Sequence, residues 1–492
     1  MMSQSDRPWQ KIQWARRPAS PLTDIATRVT SQLSVARVNT FTKLGLWALS
    51  PLAKPPISSL DGALRYYGTP HVPGATALEE AVVLLRAAAE VEHALLVQYL
   101  YAAWSIGTDT QAIAISDVAI QEMCHFLTVQ NLLLFAGSRP SVQRQDLAPT
   151  PELDPFAFTL RPFSRSVLQD FLLTEMPAQK DMSNDQRQVM DPIIAERQQQ
   201  GSIVHPVGLI YAKLYWLFQE DDEATAEWPE IASSGRFERG RHIASFPGEG
   251  TAKTFQADPL AELKWRASFD RGGVFESIGT RPAALHTLFE IAQQGEGLAG
   301  DAQRPSHFST FLEIYKSTDF NTVPSSNWPT DPFVSSQPAS DPVREANRIT
   351  NPAAVALSGV LDLRYRIALA SIRAALSRDR TNPTDLATRT TYIGWAFDEM
   401  KPFLLGGVSA LTRQPLKSAP DGGQMVAAPS FNLTGFSLPD DAPSLDQALF
   451  DLHRQAALAI NGALSQSIDI AAKSLLHKMQ QNDKSRYPNL AV

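Results

Sequence analysis

The fold is decided by two stretches, AEVEHALLVQYLYAAWSI (89–106) and IQEMCHFLTVQNLLLFAGSRP (120–140). In both, apolar residues recur every three or four positions, which is the spacing of one face of a helix, and carboxylates and histidines lie within this pattern. In the first stretch, Glu92 shares its helical face with apolar residues three and four positions away, so its carboxylate points towards a core. Burying a carboxylate is costly unless it is paired or bound to a metal. Glu92 is therefore a candidate metal ligand.

The second stretch places Glu122 and His125 three residues apart, on one apolar face. A single Glu-x-x-His pair is weak evidence, because this spacing also arises by chance. A Glu on one long apolar helix followed by Glu-x-x-His on the next is stronger, since helical bundles assemble carboxylate-bridged two-metal sites in this way. We favour a metal site, and a structural ion pair remains the alternative.

A second Glu-x-x-His pair, Glu90 and His93, lies on a different face of the first helix together with Arg86. We interpret this pair as a solvated rim, because charged residues are mostly exposed. Cys124 points away from the candidate ligands of the second helix, and we expect it to serve only in packing.

The composition excludes several classes of protein and site. With 43% hydrophobic and 19% charged residues, the chain of 492 residues is typical of a soluble globular protein. A net charge of -7 argues against nucleic acid as a partner and favours a small-molecule ligand. The single cysteine rules out an intrachain disulfide, a Cys-rich zinc site and an iron–sulfur cluster within one chain, so His and carboxylate must hold any metal. The N-terminal region has no apolar stretch of secretory or membrane length, and we expect a cytoplasmic protein with no membrane partner.

Helical periodicity dominates the chain and strand alternation is almost absent, which predicts a mainly α fold. Thr76 and Glu79 form a capping-box pattern that begins the first long helix, and Gly137 before Pro140 ends the second. We expect a four-helix bundle with additional C-terminal helices and long loops. The predicted bundle helices are 76–105, 111–136, 205–220 and 282–294.

These patterns divide the chain into an N-terminal extension (1–75), a metal-binding bundle (76–320) and a C-terminal helical region packed on the bundle (340–480). Two polar segments lie between the predicted helices. We expect residues 180–200 to be partly ordered, and residues 222–280, which show no clear period, to form an insertion or lid. The remaining predicted helices are 164–176, 306–316, 353–377, 384–405 and 444–480.

Further motifs follow the two opening stretches in order: FLLTEMP (171–177), IAQQGEG (291–297), SHFSTFLEI (306–314), EMKPFLLGGVSALTRQPL (399–416) and APSFNL (428–433). Together they run through most of residues 76–435. They resemble the ferritin-like domain of the iminophenyl-pyruvate dimer synthase family, which includes the chromopyrrolic-acid-type synthases of the violacein, rebeccamycin and staurosporine pathways.

The resemblance implies a ferritin-like bundle and a metal-dependent oxidation of imines of aromatic 2-oxo acids, in which two units are joined by a carbon–carbon bond. The implied cofactor is iron, mono- or dinuclear, with another divalent transition metal as an alternative. By position, the implied metal ligands are Glu92, Glu122, His125, Glu175, Glu296 and His307. The alternative for Glu175 is a carboxylate near a chain reversal, and for Glu296 a loop carboxylate that organises the turn between two glycines.

One position departs from the family. Its third helix typically reads IGEFY, whereas this chain reads VGLIY (207–211), with Leu209 in the place of the acidic residue. Two divalent metals need roughly four anionic ligands for charge balance. We therefore expect fewer than two tightly bound metal ions per chain, and we expect Leu209→Glu to raise the metal content. His286 and Glu290, one helical turn apart, form a further candidate pair that ranks below His307.

Two functions remain open at this point. The first is a metal-dependent oxidoreductase of specialised metabolism, acting on a small amino-acid-derived imine, with a homo-oligomer or a partner oxidase compatible with that role. The alternative is a non-catalytic or degenerate ferritin-like metal-binding or structural protein. Four aromatic residues could shape a pocket for a planar substrate, although core packing is the favoured interpretation. These are Tyr99, Tyr211, Tyr215 and Trp216.

Overall fold

The computed structural model describes residues 12–15, 69–107, 109–144, 158–177, 182–199, 208–220, 222, 242–249, 278–296, 305–322, 326–379, 382–418 and 424–490. The protein is mostly helical with almost no strands in these ranges, which confirms the mainly α prediction. Most of the predicted N-terminal extension and most of the predicted insertion at 222–280 lie outside the described residues. The predicted domain boundaries therefore stay a prediction.

The first part of the chain forms a four-helix bundle closed on one side by a helix pair. The described helices of this part are α1 (Ala77–Ile106), α2 (Thr110–Phe135), α3 (Arg165–Glu175), α4 (Asn184–Gln199), α5 (Gly208–Phe218), α6 (Arg281–Glu296) and α7 (His307–Ser317). The bundle consists of α1, α2, α5 and α6, and the closing pair consists of α3 and α7. Within the bundle, α1 packs on α2 and α5, and α6 packs on α5 and α2. Outside it, α3 packs on α7, which also contacts α2 and α6.

Local signals begin and end the two long helices as the sequence predicted. The Thr76 backbone N–H donates to the Glu79 carboxylate over 2.8 Å, and the Glu79 backbone N–H donates back to Thr76 Oγ1 over 3.3 Å. At the end of α2, Gly137 adopts a φ of 75°, a conformation that favours glycine. The next residue, Ser138, donates its N–H to the Leu133 carbonyl over 2.8 Å and so completes the cap.

The second part of the chain is a helical layer organised around one central helix. Its elements are β3 (Phe333–Val334), α8 (Pro342–Ala346), β4 (Arg348–Ile349), α9 (Pro352–Leu376), α10 (Pro383–Asp398), a π-helical turn (Glu399–Leu404), α11 (Leu405–Leu411), α12 (Ala442–Leu464) and α13 (Ile470–Arg486). Helix α9 packs against α10, α11, α12 and the π-helical turn. One apolar core runs from α1, α2, α3 and α7 into this layer, so the C-terminal helices pack on the bundle.

Four predicted elements differ from the structure. Residues 184–199, expected to be partly ordered, form α4, and the fourth bundle helix runs on beyond Gly295 to residue 296. The pattern at 444–480 is two helices, because the chain breaks after α12 and Asp469 starts α13 by accepting from the Ala472 N–H. The helix predicted at 384–405 contains the π-helical turn, in which Pro402 lacks the N–H that a regular helix needs.

The helices of the C-terminal layer are joined by buried charges. The Arg364 guanidinium on α9 donates to both carboxylate oxygens of Asp483 on α13, over 2.7 and 2.5 Å. It also lies 3.4 Å from Glu399 in the π-helical turn, which pairs with Arg486. On α12, His453 Nδ1 lies 2.7 Å from the same Asp483. Because each buried charge has an opposite partner, the network fixes how α9, α12 and α13 meet.

The described strands form two sheets of two strands each. Strand β1 (Gln13–Ala15) pairs antiparallel with β2 (Thr69–His71), and β3 pairs parallel with β4. Among the described residues, α2 is long and apolar enough to cross a membrane by length and composition. Since 67% of its most apolar window is buried inside the protein, it has the character of a core helix.

Candidate metal centre

Five buried side chains with metal-binding groups meet between the bundle and its closing helix pair. Glu92 comes from α1, Glu122 and His125 from α2, Glu175 from the last residue of α3, and His307 from the first residue of α7. All five are at most 3% exposed. The site lies at the boundary of two apolar clusters, which share α1 and α2 between them, so apolar packing surrounds the charges.

Glu122 lies at the middle of this group. Its Oε2 is 3.1 Å from Nδ1 of His125, and its Oε1 is 2.9 Å from Nδ1 of His307. His125 Nδ1 is also 3.5 Å from Oε2 of Glu92, and His307 Nδ1 is 3.6 Å from Oε2 of Glu175. The cluster thus consists of two half-sites, each with one histidine and one carboxylate, which share Glu122. We call them the Glu92 half-site and the Glu175 half-site.

Two tyrosine hydroxyls hold the outer carboxylates. Tyr99 donates to Oε1 of Glu175 over 2.5 Å, and Tyr211 on α5 donates to Oε1 of Glu92. Each bond occupies one carboxylate oxygen and leaves Oε2 on the side of the histidine. The sequence favoured core packing for both tyrosines, and the pairing could not be seen there because Tyr99 and Glu175 are 76 residues apart.

The sequence missed Gln294, whose Oε1 lies 2.8 Å from Nε2 of His125. The motif IAQQGEG contains it, but nothing in the pattern singles it out. Its neighbour Gly295 leaves room for the cluster, since a Cβ at this position would lie 3.2 Å from Oε2 of Glu175. The side chain of Glu296, a predicted ligand, lies outside the described residues.

The charges of the site are strongly coupled. Burial, together with the charge of Glu122, raises the pKa of Glu92 to about 8. Burial alone would lower the pKa of His125, but hydrogen bonds to Glu122 and Glu92 outweigh it and raise the pKa to about 10. For His307, the charge of Glu122 overcomes the effect of burial and raises the pKa to about 9. In turn, His307 lowers the pKa of Glu122 although burial acts to raise it.

These side chains fit a metal ion. Glu122, His125 and His307 each offer a ligand atom, all within 4.8 Å of one another. Four buried atoms of the described cluster lack a hydrogen bond of regular geometry, namely Glu92 Oε2, Glu122 Oε1 and both ring nitrogens of His307. Three of them have only the close ionic neighbours described above, at 2.9 to 3.6 Å. Buried polar atoms without partners are costly and rare. Carboxylate oxygen and imidazole nitrogen are ligand atoms that iron and similar divalent metals bind. One metal ion, or two, would therefore give these atoms a partner.

The metal-free protein should lose stability as the pH rises from 6.5 to about 10. His125 and His307 have folded pKa values raised above the ordinary value of 6.5, to about 10 and about 9, and Glu92 is raised to about 8. The folded state therefore holds more protons than the unfolded state in this range, so stability is greatest at its acid end. Urea unfolding of chelator-treated protein at several pH values measures this, and a free energy of unfolding that increases with pH would contradict it.

Other candidate residues lie outside the cluster. The Glu90 and His93 pair is buried, so its interpretation as a solvated rim is wrong. His93 Nε2 contacts the hydroxyl of Tyr365 on α9. This helix shields His93 from solvent, and because it is distant in sequence, the local pattern around His93 could not show the burial. His286 is exposed on α6. Cys124 is a buried free cysteine whose thiol pKa is raised to about 12 by burial and the neighbouring Glu122 charge.

Leu209 is completely buried in the apolar cluster of the bundle. It stands two residues before Tyr211, and residues two apart in a helix point about 200° apart. Tyr211 is the residue of α5 that reaches Glu92, so Leu209 lies on the opposite side of that helix. The structure thus gives the missing-carboxylate argument no support, while the expected number of bound metal ions stays a prediction.

This placement changes the expected effect of Leu209→Glu. A carboxylate at this position would be buried among apolar side chains, so the free energy of unfolding should fall by about 3–5 kcal/mol, the usual cost of an uncompensated buried charge. The metal content should not rise. The volume-conserving Leu209→Met should cost less than about 1.5 kcal/mol. Chemical denaturation and elemental analysis test both statements, and a higher metal content in Leu209→Glu would restore the expectation drawn from the sequence.

Comparison with known proteins gives a family-model match over the region that holds the cluster. Residues 85–316 match the family model described as Ferritin-like, and this range includes all five side chains of the cluster. Ferritin-like proteins commonly bind iron and often are oxidases. Neither the curated proteins nor the solved structures gave a match. The chain is a mostly helical protein with a Ferritin-like domain at residues 85–316.

Proposed function

We propose that this protein is a metal-dependent oxidoreductase of specialised metabolism that couples or oxidises an imine of an aromatic 2-oxo acid. The observation that carries the proposal is the pair of half-sites around Glu122, buried inside the Ferritin-like domain. The motifs that resemble the iminophenyl-pyruvate dimer synthases support the substrate class, because they continue beyond the bundle into residues 399–433 of the C-terminal layer.

In this proposal, the Glu92 and Glu175 half-sites would hold iron, with Glu122 as the carboxylate that both half-sites share. Bound iron would supply the electron transfer to dioxygen that side chains cannot perform. Tyr211 and Tyr99 keep one oxygen of each outer carboxylate occupied, so that the other oxygen faces the histidine of its half-site and would be available as a ligand. Apolar packing on both sides keeps bulk water away from the reacting atoms.

The coupling balances with dioxygen as oxidant. Two imine units each lose one hydrogen as the carbon–carbon bond forms between them, and dioxygen takes up both hydrogens as hydrogen peroxide. The test uses iron-loaded full chain with phenylpyruvate and ammonium, which form the imine in solution. Oxygen uptake is followed with an electrode, and mass spectrometry detects a product of two units less two hydrogens.

Uptake that requires both protein and iron and disappears in Glu122→Gln supports the proposal. The alternative, a metal-binding or structural protein without turnover, predicts bound iron with no oxygen uptake and no coupled product. The number of bound metal ions per chain distinguishes a two-metal site from a one-metal site. A ratio near two ions per chain supports the occupation of both half-sites. A ratio of one or lower supports the sequence-based expectation of fewer than two ions, which rests on Leu209 in the place of an acidic residue.

A further inference from the structure

Three arginines from distant parts of the chain meet where the bundle packs on the C-terminal layer. Arg86 on α1 donates to the hydroxyl of Ser138 over 3.3 Å. The next residue, Arg139, pairs with one carboxylate oxygen of Asp440, and Arg373 near the end of α9 donates to the other over 3.2 Å. We call Arg86, Arg139 and Arg373 the arginine cluster.

The arginine at the base of this cluster is buried and only partly paired. The side chain of Arg373 is 6% exposed, whereas those of Arg139 and Asp440 are 62% and 63% exposed. Within the described residues, Nη1 of Arg373 is buried and has no hydrogen-bond partner. Burial lowers the pKa of Arg373 although the charge of Asp440 acts to raise it, and the charges of Arg139 and Arg86 lower it further. A buried guanidinium nitrogen without an acceptor is costly, so the cluster is short of acceptor atoms.

Among the described residues, the neighbouring carboxylates Asp440 and Asp441 do not supply that acceptor. Asp440 is shared between two arginines, and each guanidinium has about five N–H donors. Asp441 instead caps α12, where its carboxylate accepts from the Ser444 N–H over 2.9 Å. The α12 helix is 23 residues long, so its N-terminus adds positive potential beside the arginines.

We propose that the arginine cluster binds a small oxyanion, the carboxylate or phosphate group of a metabolite. Planar guanidinium groups from three segments suit such a group, because they donate in pairs to two oxygens at once. Arg139 and Asp440 lie at the solvent side, so a ligand can enter by displacing the Asp440 carboxylate. Arg373 then gains the acceptor that it lacks. This site is independent of the proposed oxidoreductase function, since none of its residues belongs to the metal centre.

Isothermal titration of the full chain with inorganic phosphate, and separately with phenylpyruvate, tests the proposal, with chloride at matched ionic strength as the reference. We expect at least one of the two anions to bind. Arg373→Gln should weaken this binding about tenfold or more, because it removes charge-assisted hydrogen bonds. Arg139→Gln should weaken it as well, and this exposed position keeps the test valid if Arg373→Gln fails to fold.

Arg413→Gln is the matched control, since Arg413 is a half-exposed arginine paired with Asp469 elsewhere in the C-terminal layer. It should leave the affinity unchanged. Binding should also persist in Glu122→Gln, which separates this site from the metal centre. Phosphate binding alone identifies a phosphorylated ligand, and phenylpyruvate binding alone identifies a carboxylate. The absence of binding by both anions, or equal affinity in Arg139→Gln and the unmodified chain, would overturn the proposal.

Discussion

Replacing Glu122 by glutamine should weaken metal binding by more than about 100-fold. Glutamine keeps the shape of the side chain but removes the carboxylate that, among the described residues, lies beside both His125 and His307. Loss of a group that merely supports a ligand already costs about 10–100-fold in metal affinity, so loss of the shared ligand should cost more. Titration of chelator-treated protein with Fe²⁺ or Co²⁺, in competition with a chromophoric chelator, measures the affinity.

Glu290→Gln provides the matched control, because Glu290 lies on α6 outside the cluster. The Glu290→Gln variant should bind the metal with the same affinity as the unmodified protein. Comparable metal affinity in Glu122→Gln and Glu290→Gln would remove Glu122 from the ligand set and with it the shared-carboxylate geometry.

Replacing Arg364 by methionine should lower the free energy of unfolding by about 3–5 kcal/mol. Arg364 is fully buried, and its removal leaves Asp483 and Glu399 with less compensating charge in the interior. Methionine has a similar length and fills most of the space, so the loss reports the charge rather than a cavity. Urea unfolding followed by circular dichroism gives the difference.

Arg413→Met is the control, because it measures how much free energy of unfolding is lost when an exposed ion pair is removed. Arg413 and Asp469 are 43% and 40% exposed, and such pairs contribute less than about 1 kcal/mol. If both variants lost the same small amount, the buried network would not stabilise the C-terminal layer.

Much of the bundle could be predicted because its signals are local. The capping box at Thr76 and the glycine stop at Gly137 depend on residues within one or two turns. The inward direction of Glu92 follows from helical spacing alone, since its neighbours on one face are apolar. For these positions, the sequence contains the whole physical cause.

Other features depend on residues that are distant in sequence. His93 was expected at the surface, yet Tyr365 covers it from a helix 272 residues away. Glu175 and His307 have no local pattern that marks them as ligands, and only the family resemblance pointed to them. The break between α12 and α13 was missed because residues 465–469 contain no Gly or Pro, the usual signals for a stop.

Elemental analysis of the full chain, produced in iron-supplemented medium and purified without chelator, tests the central claim most directly. We predict at least one equivalent of iron or a similar divalent metal per chain, retained through gel filtration and absent from Glu122→Gln. A metal-free chain that also fails to take up Fe²⁺ after purification would contradict the claim that the buried glutamates and histidines form a metal centre.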